Sequence, residues 1–308
     1  MKVAVLVGGV GGAKLALGLA QVLPPEDLSI IVNTGDDTWL YGLRICPDLD
    51  TIMYTLSGLV DKSNGWGVGG DTFQTLDAMR RFGEDAWFRL GDQDMATHIL
   101  RTRYLHAGYH LTEITQRLTK KLGIRQQVLP MTDAPVATMV DTVEYGEIDF
   151  QTYFVRYRWQ PTVKKLRLAG IEEASVSTEV ERAISEADTL IIGPSNPWLS
   201  IAPILEVPGM RELIVGRSIP RIAISPIIKG EAIKGPAAKL MGELGYEVTA
   251  GTVAQYYGDL INGYVYDLSD EDQDISVKHV NKCQTIMNSD KDKEELARVV
   301  LEWIQNWK

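Results

Sequence analysis

Four carboxylates within fifteen residues carry the strongest chemical signal in the sequence. Asp36 and Asp37 end the run Asn33-Thr34-Gly35-Asp36-Asp37, and Asp48 and Asp50 follow in Pro47-Asp48-Leu49-Asp50-Thr51. Mg²⁺ takes one or two carboxylates and completes its shell with substrate phosphate oxygens and water, so this loop suits a metal that receives an anionic ligand. Asp50 is the expected metal or substrate contact, with Asp37 as a second metal ligand. Capping a helix that begins at Thr51 is the plainer role for Asp50, and a cap or a solvated side chain accounts for Asp48.

A second signal is Gly8-Gly9-Val10-Gly11-Gly12, placed directly after an apolar run and followed by Lys14. Adjacent glycines let the backbone approach a phosphate, and a helix N-terminus points free amides at it. Lys14 stands where a dinucleotide fingerprint needs its third glycine, and the Walker A ending is absent. Gly9, Gly11, Gly12 and Lys14 are the expected phosphate contacts, against the alternative of a plain glycine turn. Gly193-Pro194-Ser195-Asn196-Pro197 is a rigid loop in which Ser195 and Asn196 offer polar groups to a nucleotide, or else simply turn the chain. Ser225-Pro226-Ile227-Ile228-Lys229-Gly230 and Lys234-Gly235-Pro236 place two lysines beside glycines, as diphosphate partners or as solvated turns.

The stretch Leu90–Arg101 is the last candidate. Asp92 reads as a helix N-cap, with Asp94, His98 and Arg101 along one face beyond it. Asp94 and His98 suit a general-base pair or metal ligands, and equally a surface ion pair. The chain has 4 histidines and no HxH or HExxH, which argues against a zinc enzyme.

Positioning these groups requires buried parallel strands. Lys2–Val7, Leu28–Val32, Thr189–Ile192 and Arg221–Ile224 are short apolar runs, each ending in a turn, as strands covered on both faces do. Residues 51–122 read as mostly helical, 136–168 as antiparallel strands, and 290–307 as a closing amphipathic helix capped by Ser289 or Asp290. The expected fold is α/β: a Rossmann-like parallel sheet flanked by helices. It forms a single domain over 1–308 with a helical and antiparallel-β insertion at about 51–170. The 308 residues carry a net charge of −10, which argues against nucleic acid as a partner. Cys46 and Cys283 suggest no disulfide framework. The glycines interrupt what would otherwise look like a signal peptide, and no apolar run is long enough for a membrane span. A cytoplasmic enzyme is expected.

Taken in order, these motifs resemble the CofD family, the 2-phospho-L-lactate transferases of coenzyme F-420 biosynthesis. The resemblance rests on Gly8–Leu15, Asn33–Asp37, Pro47–Thr51, Asp71-Thr72-Phe73, Leu90–Asp94, Leu129–Asp133, Gly193–Pro197 and Ser225–Ile228. It implies a Rossmann-like fold and a Mg²⁺-dependent transfer, with Asp50 central to catalysis. A phospholactyl or enolpyruvyl phosphate group would pass from a guanosine diphosphate-linked donor to a hydroxyl of 7,8-didemethyl-8-hydroxy-5-deazariboflavin, releasing GMP. By the same resemblance Asp50 and Arg89 contact the deazaflavin, which the insertion would cover. Lys229 departs from the glycine more usual in the family. Trp39 and Tyr41 are expected either to stack on the deazaflavin or to pack in the core. A homodimer is compatible with this reading. The alternative is a nucleotide-sugar-binding regulatory protein of the related gluconeogenesis-factor group.

Overall fold

Val3–Val7 (β1) and Leu28–Val32 (β2) are apolar on both faces, so each must be covered on both sides. In the computed structural model, which describes residues 1–233 and 235–307, they are adjacent interior strands of a seven-stranded sheet. Lys234 lies outside the described residues. The remaining strands are Gln127–Pro130 (β3), Thr189–Ile192 (β4), Arg221–Ile224 (β5), Gly263–Asp267 (β6) and His279–Cys283 (β7). Their order is β7-β6-β5-β4-β1-β2-β3, and every neighbouring pair is parallel. The direction of winding reverses between β1 and β4. Open α/β sheets bind ligands at such a reversal, beyond the carboxyl ends of the strands. Register places Leu6 beside Ile192, so the loops after β1 and β4 leave the sheet side by side.

Alternation along β1 divides the core. Val3, Val5 and Val7 face one hydrophobic layer and Leu6 the other. The first layer includes helix α1 (Gly9–Val22) and the C-terminal helix Asp290–Gln305, which Ser289 and Asp292 close with a capping box. These two helices touch where Gly18 meets the Lys293 carbonyl, and no side chain would fit there.

Helices α2 (Pro47–Ser57), α3 (Gln74–Arg81), α4 (Asp92–His106) and α5 (Leu111–Lys121) fill the span between β2 and β3. The helical stretch expected at 51–122 is thus broken at 58–73 and 82–91. Antiparallel strands form at Ala137–Thr142, Gly146–Asp149 and Val163–Ala169, but Thr152–Arg156 between them is a π-helical turn rather than strand. The span 51–170 is not one continuous excursion, because β3 returns to the main sheet within it.

Candidate active site

The reversal point opens into a cavity of about 580 Å³, within the size range of small-molecule sites. Gly9, Gly11 and Lys14 from α1 form one wall with Ser195 and Asn196. The glycines earn their places by contact. A Cβ on Gly11 would run into the Pro194 carbonyl, and one on Gly12 would stand 2.7 Å from Ser195 Oγ. Ser195 Oγ accepts the Gly8 amide at 3.1 Å and donates to the Gly8 carbonyl at 2.8 Å, pinning the two loops together. Asn196 Oδ1 caps the following turn by accepting the amides of Trp198 and Leu199 at 3.0 and 3.2 Å. Its Nδ2 is buried with no protein partner, leaving a donor for a ligand. Lys14 Nζ donates to the Met287 carbonyl at 2.6 Å, and Gly12 packs behind the wall rather than lining it.

The acidic residues converge, though not as expected. Helix α2 begins at Pro47, so Asp48 and Asp50 both lie in its first turn and neither is its N-cap. Asp48 is buried. Its Oδ1 accepts the Gly9 amide at 2.8 Å and its Oδ2 accepts Asn33 Nδ2 at 2.9 Å. The cap-or-solvent reading of Asp48 therefore gives way to a contact made 39 residues away in sequence. Burial pushes Asp48 up to about 6, against the hydrogen bonds from Asn33 and Gly9. Asp36 also lines the cavity, and burial followed by the charge of Asp48 raises it well above the usual carboxylate range. Its Oδ1 is buried without a partner.

The two carboxylates expected to hold metal are each paired with arginine. Asp37 sits behind the cavity wall, 3.2 Å from Arg44 Nη2, and burial pushes it up to about 6 against that charge. Asp50 lines the cavity but is gripped by both terminal nitrogens of Arg101. Among the described residues, no group of three or more His, Cys, Asp or Glu side chains stands ready to hold a metal alone. The unpartnered Oδ1 of Asp36 beside Asp48 fits a cation that draws its other ligands from phosphate and water.

His98 is buried and Asp94 is partly buried at the cavity lining, so they are not a surface pair. His98 Nε2 lies 3.2 Å from Asp94 Oδ1, and Tyr54 donates to the same oxygen at 2.7 Å. Although burial opposes it, the His98 ring and the Tyr54 hydroxyl together hold Asp94 below its ordinary range. Asp92 does not cap its own helix: its carboxylate accepts the amides of Gln74 and Thr75 and so caps α3. Asp71 does the reverse, accepting the Gln93 and Asp94 amides at the start of α4. This exchange clamps the segment that carries Arg89, whose exposed guanidinium lies 4.1 Å from the Phe73 ring centroid at the cavity rim.

The cavity lining also includes the aromatic residues Trp66, Phe88, Phe154 and Trp159. Trp39 and Tyr41 do not line it. Trp39 is half exposed and stacks on His106, while the Tyr41 hydroxyl accepts the Phe88 amide at 2.9 Å. Lys229 is also outside the cavity, exposed at a positive φ of 52°. This aromatic lining escaped the sequence reading because its members are scattered over 94 residues, from Trp66 to Trp159, in loops and short turns. The best sequence signal was the Trp66 loop, rich in Gly.

The profile of the family described as 2-phospho-L-lactate transferase CofD matches residues 3–305. A 2-phospho-L-lactate transferase of Methanosarcina mazei is 39% identical over 299 residues, covering 96% of this chain and 98% of the relative. A phosphoenolpyruvate transferase of Streptomyces coelicolor is 41% identical over 277 residues, covering 88% of this chain and 87% of the relative. A solved structure, a member of the UPF0052 family from Bacillus halodurans, superposes with a TM-score of 0.64 at 14% identity. It covers 97% of this chain and 98% of that one, and shows the fold alone. No helix among the described residues is long and apolar enough to cross a membrane. The chain belongs to the CofD family, whose relatives are transferases.

Proposed function

We propose that the protein transfers a 2-phospholactyl or enolpyruvyl phosphate group from a guanosine diphosphate-linked donor to the ribityl hydroxyl of 7,8-didemethyl-8-hydroxy-5-deazariboflavin. The observation that carries this reading is the cavity itself. Its single lining combines glycines, serine and asparagine suited to a diphosphate with aromatic rings suited to a flat heterocycle. The acceptor oxygen bonds to the phosphorus that bears the three-carbon acid. The bond from that phosphorus to the bridging oxygen breaks, GMP departs, and the hydroxyl proton is lost.

Such a transfer asks a protein mainly for alignment and charge neutralisation. In this reading the α1 N-terminus and the free Nδ2 of Asn196 bind the donor, and Ser195 holds together the two loops that present them. Arg89 and the aromatic residues hold the ring system, while Asp50 orients the hydroxyl. Asp36 and Asp48 would hold Mg²⁺, which when bound neutralises charge on the phosphoryl group and on departing GMP.

The test supplies deazaflavin, Mg²⁺ and each guanylyl donor, lactyl or enolpyruvyl, and identifies the product by mass. A deazaflavin product heavier by the phospho-acid group, with one GMP per product, is expected. Nucleotide-sugar binding without product from either donor would replace this reading with a regulatory one.

A further inference from the structure

Asp50 is a residue with a fixed posture. Arg101 holds it from behind: Nη1 donates to Oδ2 at 3.1 Å and Nη2 donates to Oδ1. Arg101 is 1% exposed and is not part of the cavity lining, whereas Asp50 is. The pair joins α2 to α4, and its fork is itself held. Nη1 also lies 3.1 Å from His98 Nδ1 and 3.4 Å from the Arg44 carbonyl. A guanidinium can only donate, so this contact suits a ring turned with Nδ1 toward Arg101 and Nε2 toward Asp94. Tyr54 completes the chain at Asp94.

We infer that Arg101 is a positioning residue for the acceptor: its two-point grip sets the rotation of the Asp50 carboxylate that meets the substrate hydroxyl. This rests on the proposed role of Asp50 as the acceptor contact. The physical basis is the geometry of the fork. Two parallel donors fix both the direction and the plane of a carboxylate, and a lysine ammonium fixes only a point. Each Asp50 oxygen spends one lone pair on Arg101 and keeps another for the cavity. A hydroxyl held this way has a defined approach to phosphorus, and small losses of alignment are amplified in rate. Burial of Arg101 follows from the same task, since water at the fork would compete for Asp50.

Arg101→Lys preserves the charge and removes the second point of contact. Acceptor kcat/KM is expected to fall at least about tenfold, with GDP affinity changed by no more than about twofold. A parallel loss of GDP and acceptor binding would mark Arg101 as merely structural and overturn the inference, as would unchanged kinetics. Should Arg101→Lys fail to fold, D50N and D50N/R101Q are compared, since the double variant buries no charge at this pair. Acceptor affinity, read by deazaflavin fluorescence, should then match between the two within about twofold. A further drop of about tenfold in the double variant would show that Arg101 acts other than through Asp50, and would also overturn the inference. Wild-type enzyme that binds deazaflavin yet yields no product overturns the proposed transfer instead, and the binding comparison still decides the role of Arg101.

Discussion

The carboxylate of Asp48 closes the amino terminus of α1, with its Oδ1 accepting the Gly9 amide at 2.8 Å. A negative group on α2 thus occupies the first amide of the helix that faces the cavity, where the helix dipole favours it. The position couples the acidic loop to the glycine turn, and a change in one is felt in the other.

Loss of this coupling should weaken donor binding selectively. Asp48→Ala is expected to reduce Mg²⁺-dependent affinity for the guanylyl donor by about tenfold or more, while deazaflavin affinity is retained. In the wild type, donor kcat/KM should fall as pH drops through about 6, where Asp48 takes up its proton. Excess Mg²⁺ should move that midpoint lower, because metal and proton compete for the same oxygen atoms. A donor profile flat from pH 5 to 7.5 would sink both the metal and the proton assignments.

Asp36 pays for its place in stability. Its ionisation is opposed by burial and by Asp48, so its folded pKa lies well above its unfolded one. As pH rises past about 4 the unfolded chain releases this proton first, the folded state holds more protons, and stability declines. Asp36→Asn should therefore melt higher than wild type at pH 7, by roughly 2–4 °C for each kcal/mol relieved. The gap should shrink toward pH 4. Transfer activity should be lost in the same variant, so calorimetry and turnover move in opposite directions.

Arg89 lies over the Phe73 ring and lines the cavity from the segment before α4. Arg89→Ala is expected to weaken deazaflavin binding about tenfold and to leave GDP binding nearly unchanged. Titration of the two ligands separately measures this, and equal losses would remove Arg89 from the acceptor side.

Gly11→Ala tests the junction of the loops after β1 and β4. The added methyl meets the Pro194 carbonyl, so the turn must open. A loss of about 1–3 kcal/mol in stability, measured by denaturant unfolding, is expected along with weaker donor binding. Gly9→Ala is strained for a different reason, the positive φ of 62° at Gly9, and finds open space for its methyl. It should disturb backbone conformation without displacing Pro194.

Most of the sheet was legible because β1, β2, β4 and β5 are apolar runs closed by turn residues. The strands that escaped lie toward or at the edges. β6 opens on Gly263 and carries Tyr264 and Tyr266, and β7 presents His279, Asn281 and Lys282, which do not form an apolar run. The acidic cluster was legible as a cluster, but its internal pairing was not. Asp48 beside Pro47 has the local signature of a helix start, and only the fold brings it to Gly9. Likewise Asp50 and Arg101 are 51 residues apart. Helical spacing aligned Asp94, His98 and Arg101 correctly, yet spacing alone says nothing of whether the shared face is wet or dry. Trp39 illustrates the converse: its hairpin, Thr38–Leu40 with Leu43–Ile45, turns the indole outward against His106.

The two halves of the cavity lining have different ancestry within the chain. Glycine-rich turns after β1 and β4 belong to adjacent interior strands, where a shift is passed to the strands paired on either side. Trp66, Phe88 and Arg89 ride on the excursion between β2 and β3, held by the mutual capping of Asp71 and Asp92, while Phe154 and Trp159 belong to the excursion between β3 and β4. The aromatic half of the lining can therefore be altered in its own loops, whereas an alteration of the glycine half disturbs the sheet itself.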